Sequence, residues 1–280
     1  MPTFDADGCP VGCDNKDTTK SGTYTSKVSP PEGNSCSCYP GLLKLANELE
    51  VFSSTMTQLV FPDLIEVDAQ GSNPAVWIDG SSSIQLTTVL FPKLVSIKSS
   101  GGMGLALGQL RAVNVSFPEL VNITAGKTAL HIDSCWTETL SFPKLVNITA
   151  ATRYGIYVYQ NDKLTTLDLP SLESITSNSG VYLQENNALV NLSLPQVVSV
   201  TGGAESLACL TNQRLKSVSL PNVVTMASLF LNGNTALATV SLPNVVTMGS
   251  LLLSRNTALT TVSLPRVTSI VGGTNDFGAL

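Results

Sequence analysis

Short alternations of apolar and polar residues recur along this chain, and nine of them run into a proline in the same context: Pro62, Pro92, Pro118, Pro143, Pro170, Pro195, Pro221, Pro243 and Pro265. Successive gaps are 30, 26, 25, 27, 25, 26, 22 and 22 residues. One residue before the proline stands Phe61, Phe91, Phe117 or Phe142, and later Leu169, Leu194, Leu220, Leu242 or Leu264. Three before it is Leu or Val, two after it is Leu or Val, and five after it is Ile, Val or Met. Apolar residues at alternate positions give a strand with one buried face. The proline removes a backbone donor and fixes φ, so the chain turns there. A second short strand comes next ("KLVNI", "NVVTM"), then a Gly/Ser/Asn segment of variable length, then a third strand ("GIYVYQN", "SLLLSRN"). An Asn closes that strand in five consecutive units, at Asn161, Asn186, Asn212, Asn234 and Asn256. Its amide suits the backbone groups of a bend.

One such unit cannot bury its apolar side alone, whereas stacked units can. No long stretch of 3.6-residue periodicity competes. The pattern predicts an all-β, right-handed parallel β-solenoid of about nine coils of 22–30 residues, a rod about 43 Å long at roughly 4.8 Å per coil. Residues 1–40 read as a Cys-rich N-terminal cap and 41–280 as the solenoid.

The unit "L-x-x-(V/L)-x-(F/L)-P-x-(L/V)-x-x-(I/V)", with its third strand and Asn, resembles the receptor L domain over about residues 50–272. That solenoid occurs in insulin- and growth-factor-receptor ectodomains and in fungal lipid-anchored cell-wall proteins. The last two 22-residue coils are also similar to surface-antigen leucine-rich repeats. A glycine pair expected after the second strand stands at Gly101–Gly102, Gly202–Gly203 and Gly272–Gly273 and is missing from the other coils. The resemblance implies an extracellular recognition, adhesion or cell-wall role, with a protein or glycan partner. It carries over no catalytic residue and no cofactor.

Aligning the third strands gives an outward column of Trp77, Ala106, His131, Tyr157, Tyr182, Ala208, Phe230 and Leu252. Tyr159 projects one position further on, and Arg153 and Tyr154 lie in the variable segment just before. Length variation in solenoids gathers on one side, often the binding side, and exposed Tyr and Trp supply apolar area with a polar handle. Trp77, His131, Arg153, Tyr154, Tyr157, Tyr159, Tyr182 and Phe230 are therefore the candidate ligand surface. Equally, the column could be a stacking ladder that only stabilises the sheet. The Thr/Ser columns of the first strand suggest a further alternative, an ice- or crystal-binding face, although Asp168, Asn114 and Asn191 interrupt it.

Only 12% of residues are charged, with 15 Lys+Arg against 20 Asp+Glu. Such a mildly acidic, charge-poor chain has no electrostatic footprint for nucleic acid, and no apolar run is long enough to span a membrane. The start shows no signal peptide and the end no lipid-anchor tail, so an exported protein would be a mature or trimmed form. A polysaccharide-active enzyme is disfavoured, because Asp168 is a lone acid in a serine column and glycoside hydrolysis needs paired carboxylates. Asp133 and Glu138 have no evident basic partner, and the single histidine, His131, reads as a strand residue rather than a general base. "DADG" at Asp5 reads as a turn, lacking the other ligands of a calcium loop, and no metal site is expected.

Cys9, Cys13, Cys36 and Cys38 precede the first coil in a segment too polar for its own core, so two disulfides of open connectivity are expected. Their spacing misses that of zinc fingers. Cys135 and Cys209 lie three coils apart, too far for a bridge. Cys209 reads as a buried thiol and Cys135 as a free loop thiol. The cap favours an oxidising compartment. The sequons at Asn114, Asn122, Asn147 and Asn191 agree with it, and the alternation turns Asn114 and Asn191 to solvent. Val60 and Leu90, apolar in an otherwise polar column, should lie under the N-terminal segment. At the other end, "VGGTNDFGAL" supplies no cap. Val262, Leu264, Val267 and Ile270 should then either meet further chain or support self-association.

Overall fold

The computed structural model describes residues 3–31, 33–52, 55–80, 86–111, 114–201 and 206–270. Among these there is no helix, and so none long and apolar enough to cross a membrane. A typical coil runs Thr139–Ser141, Asn147–Ala150 and Ile156–Tyr159. Each strand pairs in parallel and in register with its counterpart in the next coil. The chain is a parallel β-solenoid with three strand-bearing faces.

The proline corner has a definite form. Leu145 N donates to Phe142 O at 3.2 Å, and the same bond recurs from Leu94 to Phe91 and from Val197 to Leu194. These are β-turns with proline in the second place, where its fixed φ is already suitable. The variable segment forms the corner between the second and third faces. It disappears in the 22-residue coils, where Thr225–Phe230 and Thr247–Leu252 are single strands running across both faces. Thr225–Phe230 pairs with both Ser199–Thr201 and Leu207–Leu210, which joins the two faces into one sheet. Gly101–Gly102 lies at this corner because coils touch backbone to backbone there; a Cβ on Gly102 would sit 1.7 Å from Asn73 O. The other two glycine pairs lie outside the described residues.

Two buried columns hold the coils in register. The first is a spine of stacked rings, Tyr39–Phe61–Phe91–Phe117–Phe142, with centroids 4.7, 5.0, 5.0 and 5.8 Å apart. It continues as buried Leu169, Leu194, Leu220 and Leu242. The second is the Asn column. Asn186 Nδ2 donates to Val158 O at 3.0 Å and Gln184 O at 3.2 Å, while its Oδ1 accepts from Asn161 N at 3.1 Å. Asn161, Asn212 and Asn234 repeat this arrangement. The side chains thus complete the backbone bonding of a bend that no water reaches.

Cys135 is free and lies between strands, as expected, and it is buried in this column. It is 2% exposed; its N–H donates to Asn161 Oδ1 at 2.8 Å, and its thiol faces Leu107 O and Asp133 O at 3.5 and 3.4 Å. Those are the bonds of an Asn rung made with a weaker donor, and burial pushes the thiol up to about 12. Cys209 is fully buried beside Leu183 and acts as a small apolar side chain. Both thiols are free. Before each rung the backbone turns left-handed, at Ser134, Gln160, Glu185, Thr211, Gly233 and Arg255.

Cys9 bonds to Cys38 and Cys13 to Cys36, completing the cap. Asn15–Lys16 and Cys36–Cys38 pair in parallel with each other and then with Gln58–Val60, so the cap feeds directly into the first face. Val60 is 1% exposed beneath Cys9 and Cys38, and half-buried Leu90 packs beside them, as the column pattern predicts. Asp5 Oδ1 accepts from Asp7 N and Cys9 N at 2.9 and 3.0 Å, closing a turn. Reducing the disulfides should loosen this end and leave the coils from Pro170 onward intact, because solenoid stability is largely local. Hydrogen exchange with and without reductant checks it, and uniform deprotection of every coil would contradict it. In the last described coil Val262 is 38% exposed, and Leu264, Val267 and Ile270 are half-buried. Residues 271–280 lie outside the described residues.

Candidate functional site

The third face carries the aromatic column in the expected register: Trp77, Ala106, His131, Tyr157, Tyr182, Ala208 and Phe230 are successive strand partners. The rings do not form one continuous surface. Ala106 and Ala208 are buried at 2% and 1% and divide them into three groups. Trp77 packs edge-on against Phe52 at 4.8 Å. Phe230 pairs with Leu252. Between them His131, Tyr157 and Tyr182 stack face to face, at 4.9 and 5.3 Å. Tyr154 leans over Tyr157 and Tyr182 at 5.3 and 5.2 Å, and Tyr159 lies 6.0 Å from Tyr157. The Tyr182 hydroxyl donates to Gln184 Oε1, which fixes that ring. Of the eight candidates, six meet here, while Trp77 and Phe230 stand apart.

A cavity of about 480 Å³ opens beside these rings, lined by Met103, Lys127, Thr128, His131, Arg153, Tyr154 and Tyr157. Lys127 and Arg153 are both exposed, and each lies three residues before a strand-paired residue, Leu130 and Ile156. They are thus equivalent positions of adjacent coils. Sequence reasoning selected Arg153 and missed Lys127, although counting back from the aligned strands would have found it. Neither has a carboxylate partner among the described residues; Lys127 Nζ reaches Ser72 O at 3.4 Å. At the far end of the same strand stands Asp133.

Burial lowers the His131 pKa, against a smaller opposing effect of Asp133. Burial likewise raises that of Tyr157, with Asp133 adding to it. The imidazole should therefore titrate below its ordinary value of about 6.5, which NMR of this single histidine can measure. The unfolded chain then binds the proton more readily, so stability falls as pH drops from about 6.5 through the lower folded value. A midpoint at or above about 6.5 would contradict the half-buried stack.

Two larger cavities lie elsewhere. One of about 780 Å³ runs under the cap over Val60, Leu90, Pro62 and Pro92. Its charges pair among themselves and their neighbours, Asp63 with Lys93 and Asp7 with Lys16. The other, about 590 Å³, lies beside Trp136, which is 57% exposed with the Arg111 guanidinium 4.9 Å from its ring. Asp162, Lys163 and Glu185 give it mixed charge. Sequence reasoning gave Trp136 no role, because it comes after the column residue Cys135 rather than lying on a strand.

Among the four sequon asparagines, Asn114, Asn147 and Asn191 are exposed and Asn122 is half-buried. Asn147 Nδ2 donates to Asn122 Oδ1 at 3.0 Å. Asp168 accepts from Ser141 Oγ at 2.9 Å on the first face. No group of three or more His, Cys, Asp or Glu among the described residues is placed to hold a metal ion.

Residues 113–201 match the receptor L domain family. Every residue lining the aromatic cavity except Met103 falls within that stretch. No curated protein and no solved structure matches the chain. That stretch of the solenoid is receptor L-domain-like, and the receptor L domain is a non-enzymatic, ligand-binding module that is typically extracellular. The cap disulfides are consistent with that setting.

Proposed function

We propose that the protein is an extracellular recognition module, of the adhesion or cell-wall type, that binds a protein or glycan ligand on the third face around His131, Tyr157 and Tyr182. One observation carries this reading: the stacked, half-exposed rings border a cavity whose rim holds two cations without acidic partners among the described residues. A purely stabilising ladder would account for the stacking but not for Lys127 and Arg153 beside it. Half-exposed Tyr residues are also the kind of anchor that dominates binding energy at interfaces.

A glycan and ectodomain array probed with the full chain tests the proposal. Tyr157→Ala is expected to weaken any true ligand about 10- to 100-fold, as loss of an anchor of 1–3 kcal/mol would. Phe230→Ala, two coils from Tyr182, should leave binding unchanged. Binding that ignores Tyr157 and Tyr182 would remove the site.

Glycosylation of the sequons is part of the same reading. Expressed in a eukaryotic secretory host, Asn114, Asn147 and Asn191 should carry glycans more fully than Asn122, which is less accessible and bonded to its neighbour. Mass spectrometry of the four sites gives the occupancies, and highest occupancy at Asn122 would contradict the ranking.

A further inference from the structure

Charges that meet between adjacent coils are complementary in this chain. Lys27 pairs with Glu50, Lys44 and Lys98 both pair with Glu66, Lys93 with Asp63, and Lys144 with Glu119. Lys127 and Arg153 break the rule. Counted back from the third strand they occupy one position in neighbouring coils, and both line the same cavity. Like charges at one rim repel, and a charge-poor acidic chain has little reason to keep them together. An anion held between them reverses the sign of that interaction.

The rest of the cavity specifies what carries the anion. Its wall is aromatic: Tyr157 is covered on both faces by His131 and Tyr182, so the stack presents the His131 face turned toward the small Ala106, with Tyr154 tilted beside it. The apolar C–H face of a sugar ring fits such a wall, and its hydroxyls can reach tyrosine oxygens. Asp133, at the other end of the strand, can accept from hydroxyls and would repel an anionic group, so the anion is directed to the Lys127–Arg153 rim. A planar guanidinium takes a carboxylate or sulfate through two parallel bonds. The cavity volume lies within the usual ~300–1,000 Å³ of small-ligand sites. An extended peptide is less suited, because the strands here are paired with neighbours on both sides and leave no edge to add to.

We propose that this cavity binds an acidic sugar, its ring on the His131 face and against Tyr154, with its carboxylate or sulfate held by Arg153 and Lys127. This rests on the reading that the aromatic face is a ligand site. Calorimetry on the full chain would compare trigalacturonate, a heparin-derived tetrasaccharide, maltotriose and a hexaglutamate peptide. The first two separate carboxylate from sulfate as the anionic group. At least one should bind ten-fold or more tightly than maltotriose, and several-fold more weakly at 200 mM than at 50 mM salt. Arg153→Glu and Lys127→Glu, both at exposed positions, should each abolish that preference. Lys144→Glu, on another face, should not. Equal binding of maltotriose, tighter binding of the peptide, or indifference to both reversals would overturn the proposal. If neither acidic sugar binds but an array ligand still depends on Tyr157 and Tyr182, the sugar class falls and the recognition face stands. If no ligand depends on those tyrosines, both fall.

Discussion

Phe91→Ala is expected to cost about 3–5 kcal/mol, the usual range for truncating a fully buried ring. Phe91 lies mid-spine, with Phe61 and Phe117 each 5.0 Å away on opposite sides. Neither neighbour can collapse into the space without leaving its own stack, so the cavity stays open. Phe142→Leu should be much milder, about 1 kcal/mol, because Phe142 is the last ring and its next neighbour is already Leu169. Urea unfolding tracked by tryptophan fluorescence reports this part of the rod through Trp77 and Trp136. Equal losses for the two variants would mean that the spine does not pack as a stack.

The second large effect is expected at the interior Asn rungs. Asn186→Ala leaves Asn161 N without its acceptor and removes the amide donor from the carbonyls of Val158 and Gln184, of which Gln184 O keeps the Gln160 N–H. Two groups at about 1–3 kcal/mol each give an expected loss of about 2–6 kcal/mol. Asn186→Leu restores volume and none of these bonds, so it should rescue little. Asn186→Cys should be the mildest, because Cys135 already does a rung's work. Asn256, at the end of the column and 8% exposed, should matter less than Asn186. Urea midpoints of the four variants check the order. A Leu variant as stable as wild type would show that the amides contribute only bulk.

The period of the prolines made most of this fold legible. Once the coils were aligned on them, the strand partners of Tyr157, the inward place of Cys209 and the bend role of Asn186 all came from counting. The connectivity of the cap did not, because Cys9, Cys13, Cys36 and Cys38 lie outside the repeat and their spacing admits more than one pairing. The rung role of Cys135 was missed for a related reason: it fills an Asn position with a different chemistry, and spacing alone does not reveal that a thiol can stand in for an amide. The candidate site was only half legible. The column residues were in place, but its division depended on how far Ala106 and Ala208 are buried by larger neighbours. The cationic rim depended on a corner whose length changes from coil to coil.

That corner also separates the rod into two kinds of repeat. Lys127, Arg153 and Tyr154 all come from the turn between the second and third faces, so the cavity exists only where that turn is long. The coils beginning at Pro221 and Pro243 have no such turn and are near copies of each other over 22 residues. They behave as interchangeable spacers. Excising residues 222–243 would join Pro221 to Asn244, restore the same motif at the junction, and shorten the rod by one step of about 4.8 Å. The cavity would keep its composition and change only its height above whatever anchors the far end. Rod length and the cavity are thus carried by different stretches of the chain, so the one can be altered without disturbing the other.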